Sequence, residues 1–445
     1  MEASAQARDA GHPEPKSCLG SEEQLMGAVL YALLLEPSAW IHRRVEKVEV
    51  LDESLVRRRV SVDLTLHSDL EAFSPPKAES IGMLPLTLLR KETLRNFDLR
   101  DAAGQPLPML SRAENERLAA ASLIVDAEGL LGDALPCELE ASLRRVAGSE
   151  PEEARAEIQT WRGNARRPTD PNREKWAALC DDESFRDQAE ALAENFILIA
   201  AVDLDLDRRL LYKFSYEEPF KEEDGFGFFK DVGVRLGWRR KGIKIEAPGV
   251  AACASYHLEM PAPKDLEIDA AHLRLVATNE AQQSPPEDAF DDDRHRAHLY
   301  VADVGPGIRA TALIFLRRCR DSFLWAAFLT GLLITALLAG ALPRLEEISR
   351  PAQSQTAGAL LLVVPTILAA YIVRPGEHRL ASRVLLGVRC FLILDAICAL
   401  VGVALLASAY QGATLHCAWK IVLGISVAAT FGLLSTLVLP RATER

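Results

Sequence analysis

The sequence predicts an α+β soluble head followed by a four-helix all-α transmembrane bundle, and three observations carry that prediction. Four apolar stretches crowd into the last third of the chain, at 323–342, 357–373, 384–409 and 415–439. The first 320 residues mix charged and apolar side chains as a water-soluble region does. Within them the apolar period is two, then helical, then two again, which separates β-hairpins, a helical middle and an antiparallel β-sandwich-like end.

The apolar stretches come first because their lengths decide the class. At 1.5 Å rise per residue, a hydrocarbon core of about 30 Å needs about 20 apolar residues. Three stretches meet that length, and the second, with 17 residues, stands at its lower edge. Small residues recur at four-residue spacing as Ala327, Gly331, Thr335 and Ala339, and again as Gly424, Ala428 and Gly432. Such stripes let helix backbones approach closely in lipid, either within one bundle or between copies in a homo-oligomer. Pro365 removes a backbone donor and kinks the second stretch.

Asp395 lies near the middle of the third stretch, where an aspartate costs roughly 2.5–3.5 kcal/mol on insertion. It is about 14 residues from the outer end, on the order of 21 Å at the standard rise. Thr330, Tyr371 and Thr430 fall near the same level and are the expected polar partners. Lys420 sits nearer the outer surface and snorkels outward. Two readings of Asp395 stand side by side: a point on a proton or ion pathway, and a hydrogen bond that packs helices together.

Orientation follows from Lys/Arg placement. Arg317, Arg318 and Arg320 precede the first stretch, and Arg374, Arg379 and Arg383 lie between the second and third. Each is worth about 1 kcal/mol beside anionic lipid. The 410–414 loop has no basic residue. The expectation is a multi-pass protein of the plasma (inner) membrane with head, N-terminus and C-terminus cytoplasmic.

The whole chain carries 51 basic and 63 acidic residues, a net −12. Nine of those basic and six of those acidic residues lie from Asp321 onward, which leaves the head with 42 against 57, a net −15. An acidic head excludes nucleic acid as an electrostatically driven partner. Eight cysteines are scattered without a CxxC, against a disulfide framework or zinc site and in keeping with a reducing compartment. The early apolar run at 25–35 is too short to span and follows Glu22 and Glu23 rather than a basic segment, so it reads as a buried helix.

Along the head, residues 1–21 form a polar, disordered tail. Segment 22–110 holds that helix and two hairpins. In 55–66, Val56, Val60, Val62, Leu64 and Leu66 share one face and Arg57, Arg59, Ser61, Asp63 and Thr65 the other. Asp52-Glu53-Ser54 turns the first hairpin, and Gly104 supplies a positive φ for the second. Segment 111–195 carries three or four helices, with Ser111…Glu114 and Ser149…Glu152 as capping boxes and Asp170-Pro171 as a third start. Segment 196–316 offers strands at 196–202, 210–216, 232–238, 243–245, 255–260, 273–276, 298–301 and 311–316, interrupted by an acidic loop at 279–296. The membrane domain is 317–445.

No GxSxG, Walker A, HExxH or kinase signature is present, and no catalytic residue, metal or cofactor is assigned. Asp291, Asp292, Asp293, His295 and His298 lie in a charged loop that lacks the convergence a hard cation needs. Gly225-Phe226-Gly227 continues to Lys230 where a dinucleotide fingerprint needs glycine. His257 beside Glu259 reads as a sheet-surface residue. Three function classes remain. The first is a membrane-anchored sensing, docking or regulatory module that meets a cytosolic protein or small ligand. The others are an oligomeric pore or transporter with Asp395 in its path, and a membrane-bound enzyme with a dispersed site.

Overall fold

The computed structural model describes residues 20–52, 54–66, 81–92, 94–203, 208–219, 233–234, 236, 238, 240–277, 294–305, 308–319, 322–349, 356–359, 361, 363, 378–408 and 411–438. The expectations for 1–19 of the tail, for 279–293 of the acidic loop and for most of the second apolar stretch, with Pro365, Tyr371 and Arg374, fall outside them, as do Arg320 and Gly225-Phe226-Gly227.

The head opens with α1 (Ser21–Leu35) and the single turn α2 (Pro37–Trp40). Strands β1 (Ile41–Val50), β2 (Leu55–Thr65), β3 (Ile81–Arg90) and β4 (Arg95–Arg100) follow. The β1–β2 hairpin is antiparallel, with Val50 opposite Val56, as the alternation of β2 predicts. Gly104 takes a φ of +83° after β4, but the returning chain makes only a bridge from Arg100 to Pro106 before Met109 bridges to Ala200.

Five helices occupy the middle, one more than the upper expectation: α3 (Arg112–Leu131), α4 (Cys137–Gly148), α5 (Pro151–Arg166), α6 (Arg173–Asp181) and α7 (Glu183–Glu194). Ser111 and Glu114 form the predicted capping box, which satisfies N–H groups that have no helical partner. Ser149 instead ends α4, because Pro151 already starts α5 at its first turn and needs no side-chain cap. Asp170 likewise accepts from Asn172 N–H at 2.8 Å, and α6 begins three residues on. These helices share a core with α1 and one face of β5.

The β-rich end supplies β5 (Asn195–Asp203), β6 (Arg209–Pro219), β7 (Lys241–Ala247), β8 (Ser255–Pro261), β9 (Leu266–Ala277), β10 (Arg296–Ala302) and β11 (Ile308–Arg318). The expected strand at 232–238 is not one: Gly233 and Val234 are helical. A six-stranded sheet has the order β10-β8-β1-β2-β6-β4, a three-stranded sheet β7-β11-β9, and β3 pairs with β5. The large sheet therefore draws strands from both sides of the helical middle. Its pairings are antiparallel except one, since β1 and β8 run parallel from Arg43 beside Ser255 to Lys47 beside Glu259. One core joins residues of all three sheets.

Three long apolar helices close the described chain. The first runs Phe323–Ile348 and overlaps α8 (Ser322–Ala341) from its second residue, and after the short α9 (Arg379–Val384) come α10 (Leu386–Ala407) and α11 (Ala413–Val438). Only a third of each helix's most apolar stretch is buried, and Leu329, Ile421 and Phe431 turn outward at 56%, 59% and 69% exposure. The interior, by contrast, holds Asp395, Ser426, Thr430 and Thr436. An apolar outside around a polar-spotted inside suits lipid and not water. The chain thus has the makeup of a membrane-anchored protein with a soluble head. Of the second stretch, 357–359, 361 and 363 are described and helical.

Candidate functional site

Alternation places three charges where the core should be. In β1, Arg44 and Glu46 share a face with Val48 and Val50, and in β2, Arg58 shares one with Val56, Val60 and Val62. The Arg44, Glu46 and Arg58 side chains are 2%, 0% and 4% exposed. Charges so dry persist only when paired and hydrogen-bonded. Glu46 accepts from Arg44 Nε and from Arg58 Nη1, each at 2.7 Å. Arg44 Nη1 donates to Thr87 Oγ1 at 2.6 Å, and its guanidinium lies 5.8 Å from the Phe214 ring centre. Arg58 Nε donates to Glu218, and Nη2 to the Glu246 carbonyl at 2.7 Å.

Electrostatics and packing agree on this arrangement. Burial pulls the Glu46 pKa upward, but the fields of Arg44 and Arg58 outweigh it and hold the carboxyl below its ordinary value. Burial likewise raises the Tyr216 and Tyr256 hydroxyls beside the network. Gly249 makes room for Arg44, because a Cβ there would stand 2.3 Å from Nε.

Arg58 is also the floor of a cleft of about 440 Å³ between the start of β2, the end of β3 and the three-stranded sheet. Arg90 pairs with Glu246 at its rim. Together with the Arg58 contact to the Glu246 carbonyl, this ties the large sheet and β3 to β7. A second cavity, about 670 Å³, lies between β5 and the helical layer, with Phe97, Leu110 and Phe196 in its walls. Its lysine, Lys91, donates to the carbonyls of Val146, Ala147 and Ser149 at 3.2, 2.8 and 3.1 Å, ending α4. Burial pushes the Lys91 pKa down to about 8, against the fields of Glu116 and Glu150, which favour its charged form. That lysine is engaged in structure, so this cavity offers a ligand mainly apolar wall.

The head is fastened to the apolar helices at several points. Strand β11 leads into α8 within four residues. Arg317 is paired with Glu267 at 3.1 Å and Asp269 at 2.9 Å. Arg318 is buried and donates to the Thr436 carbonyl at 3.4 Å in the last turn of α11, where a cation suits the helix dipole. Burial pushes its pKa down to about 10. Trp238 Nε1 donates to Ser435 Oγ at 2.9 Å. His378 Nε2 donates to the Val50 carbonyl at 3.0 Å while its Nδ1 accepts from Leu380 N–H at 3.2 Å. Arg379 pairs with Asp52 at 2.7 Å, and Leu380, Ala381 and Val384 of α9 sit in the head's own core.

Arg317, Arg318 and Arg379, expected at the membrane interface, also make these contacts with protein groups. For Arg383, α9 gives the backbone position.

In the apolar bundle, Asp395 is fully buried and its Oδ1 accepts from Ser426 Oγ at 2.8 Å. Thr335 Oγ1 lies 2.8 Å from both Ser426 Oγ and Thr430 Oγ1. A Cβ on Gly331 would stand 2.8 Å from Asp395 Oδ2 and 3.3 Å from Thr430 Oγ1. Thr430 thus belongs to the cluster, whereas Thr330 turns back to the Ala326 carbonyl at 2.6 Å. Ala327 is buried in the bundle and Ala339 is exposed. Gly424 and Ala428 face outward, and Gly432 packs under Phe391.

Residues missed from sequence left signals. Arg58 interrupts the apolar parity of β2, and Ser426 stands one helical turn before Thr430. On the outer face of the large sheet, His257 stacks on His298 with ring centres 5.4 Å apart, and Tyr300 completes the group. Among the described residues, no three metal-ligating side chains converge. No protein-family model matches this chain, and no curated protein matches it either.

Proposed function

We propose that this chain is a four-span protein of the plasma membrane whose cytosolic head is a sensing and regulatory module, and that the head passes its conformation to the membrane helices. The carrying observation is the insertion of Leu380, Ala381 and Val384 into the head's core, six residues or fewer before α10 begins. Two walls of the cleft lead directly to the bundle. The β1–β2 hairpin is gripped at Val50 and Asp52 by His378 and Arg379, and β11 runs into α8. A shift between β2 and β11 therefore moves the ends of two membrane helices relative to each other. The Lys/Arg distribution supports a cytosolic head with both termini on that side. The outward Gly424 and Ala428 suit a homo-oligomer contact.

Amide exchange in lipid nanodiscs tests the coupling. Replacing His378 and Arg379 together by Ala is expected to speed exchange both in α9 and in the last turn of α11, leaving α3 to α7 unchanged. Exchange that rises in α9 alone means that head and bundle move independently, which contradicts the reading.

A further inference from the structure

We infer that the 440 Å³ cleft is a binding site for a small soluble organic anion, a carboxylate or phosphate monoester on an apolar body, and this rests on the sensing role above. The cleft reverses the charge of its surroundings. Arg58, Arg90, Lys244 and Arg274 line it against Glu92, Glu218 and Glu246, in a head whose net charge is −15.

The cations fall into two kinds. Arg58 and Arg90 are tied to Glu218, Glu46 and Glu246. Lys244 and Arg274 make no ion pair among the described residues. The three-stranded sheet brings them together, since Lys244 is opposite Leu313 and Arg274 is opposite Thr311 on the two sides of β11. Directly paired residues and those two apart share a face, so both cations and the Thr311 hydroxyl lie on one surface. Leu88, Leu89, Val276 and Leu313 add an apolar wall. A cavity of this volume, with convergent charged groups beside an apolar wall, fits a ligand of metabolite size.

The source of the anion follows from position. Leu313 and Thr311 precede Arg318, which touches the end of α11, by five and seven residues. That is roughly 17–23 Å along an extended strand, whereas the headgroup layer adds only about 5–8 Å on each side of the hydrocarbon. A soluble anion is therefore favoured over a lipid headgroup. An anionic group between Lys244 and Arg274 also competes with Glu246 for Arg90, which loosens the tie between β3 and β7.

The test is calorimetric titration of the full chain in phosphatidylcholine nanodiscs with AMP, inorganic phosphate and hexanoate, using adenosine and hexanol as neutral controls. At least one anion is expected to bind saturably at roughly 1 mM or tighter, with its neutral control tenfold or more weaker. Lys244→Gln with Arg274→Gln is expected to weaken binding at least tenfold. Arg274→Lys retains it, and Lys213→Gln on the far face of the large sheet leaves it unchanged. Thermal melts check that each variant is folded. Anions binding no better than their neutral controls, or equally well to the double variant, overturn the proposal. So does loss of binding in Lys213→Gln to the same degree. Nanodiscs containing phosphatidylserine form the second arm: full displacement of the probe there assigns the cleft to headgroups and overturns the soluble source. The exchange experiment uses no ligand, so the two readings fail separately.

Discussion

Glu46→Ala is expected to destabilise the head by about 3–5 kcal/mol, because it leaves Arg44 and Arg58 buried without their shared carboxylate. Chemical denaturation followed through the head's tryptophans reads this as a lower midpoint. A loss under about 1 kcal/mol would mean that water reaches the two guanidinium groups, and that the network is surface-like. Replacing Arg44, Glu46 and Arg58 together by apolar residues of similar volume should recover much of the loss, since the desolvation cost of the charges disappears with them. The pH dependence has a definite sign. Glu46 is held below its ordinary pKa, so its contribution is complete above the unfolded value near 4.3 and is lost as pH falls through the depressed folded value. Wild type and Glu46→Ala therefore differ most at neutral pH and converge in acid.

Gly331→Leu is expected to force the apolar bundle apart. A single Cβ at this position already meets Asp395 Oδ2 at 2.8 Å and Leu433 Cδ1 at 2.9 Å. Overpacking of this kind costs roughly 1–3 kcal/mol, and the displaced Asp395 would also part from Ser426. Thermal unfolding in mild detergent should show the bundle melting earlier while the head's transition holds. Gly340→Leu is the control, because Gly340 of α8 faces outward with nothing within 4 Å of its Cβ position. Equal melts for Gly331→Leu and wild type would show that α8, α10 and α11 do not pack as closely as described. Hydrogen bonds link Asp395 Oδ1, Ser426, Thr335 and Thr430 across the helices, as the packing reading of Asp395 expects, while Oδ2 of the same carboxylate is buried without a partner among the described residues.

Much of this was legible in the sequence, and the exceptions share a cause. Periodicity gives the face of a strand, so β1, β2, β6, β8 and β11 fall close to their expected places. It says nothing of neighbours, so the parallel meeting of 43–47 with 255–259 could not be read from it. Arg58 is masked in the pattern because four apolar residues of the same parity dominate its strand, although a charge among them is the mark of a buried network. In the segment 378–384, Arg379 and Arg383 mark a membrane interface, but its apolar residues carry a second signal. Leu380, Ala381 and Val384 lie together on one helical face, which is the pattern of a helix that docks on protein. In the bundle, the level of Asp395 pointed to Thr430, but rotation about the helix axis brings Ser426 and not Thr330 to the carboxylate.

The head seated at one end of helices that cross the bilayer is the claim on which the rest depends, and side-specific cysteine labelling measures it. Two chains are compared, one with Gln411→Cys as its sole cysteine and one retaining only Cys137, which is exposed on the head. Gln411 lies in the connection between α10 and α11, at the end away from Ser435 and Thr436, which touch the head. In intact cells a membrane-impermeant maleimide should label position 411 and leave Cys137 unlabelled until the membrane is opened. Labelling of both from the same side would contradict the account.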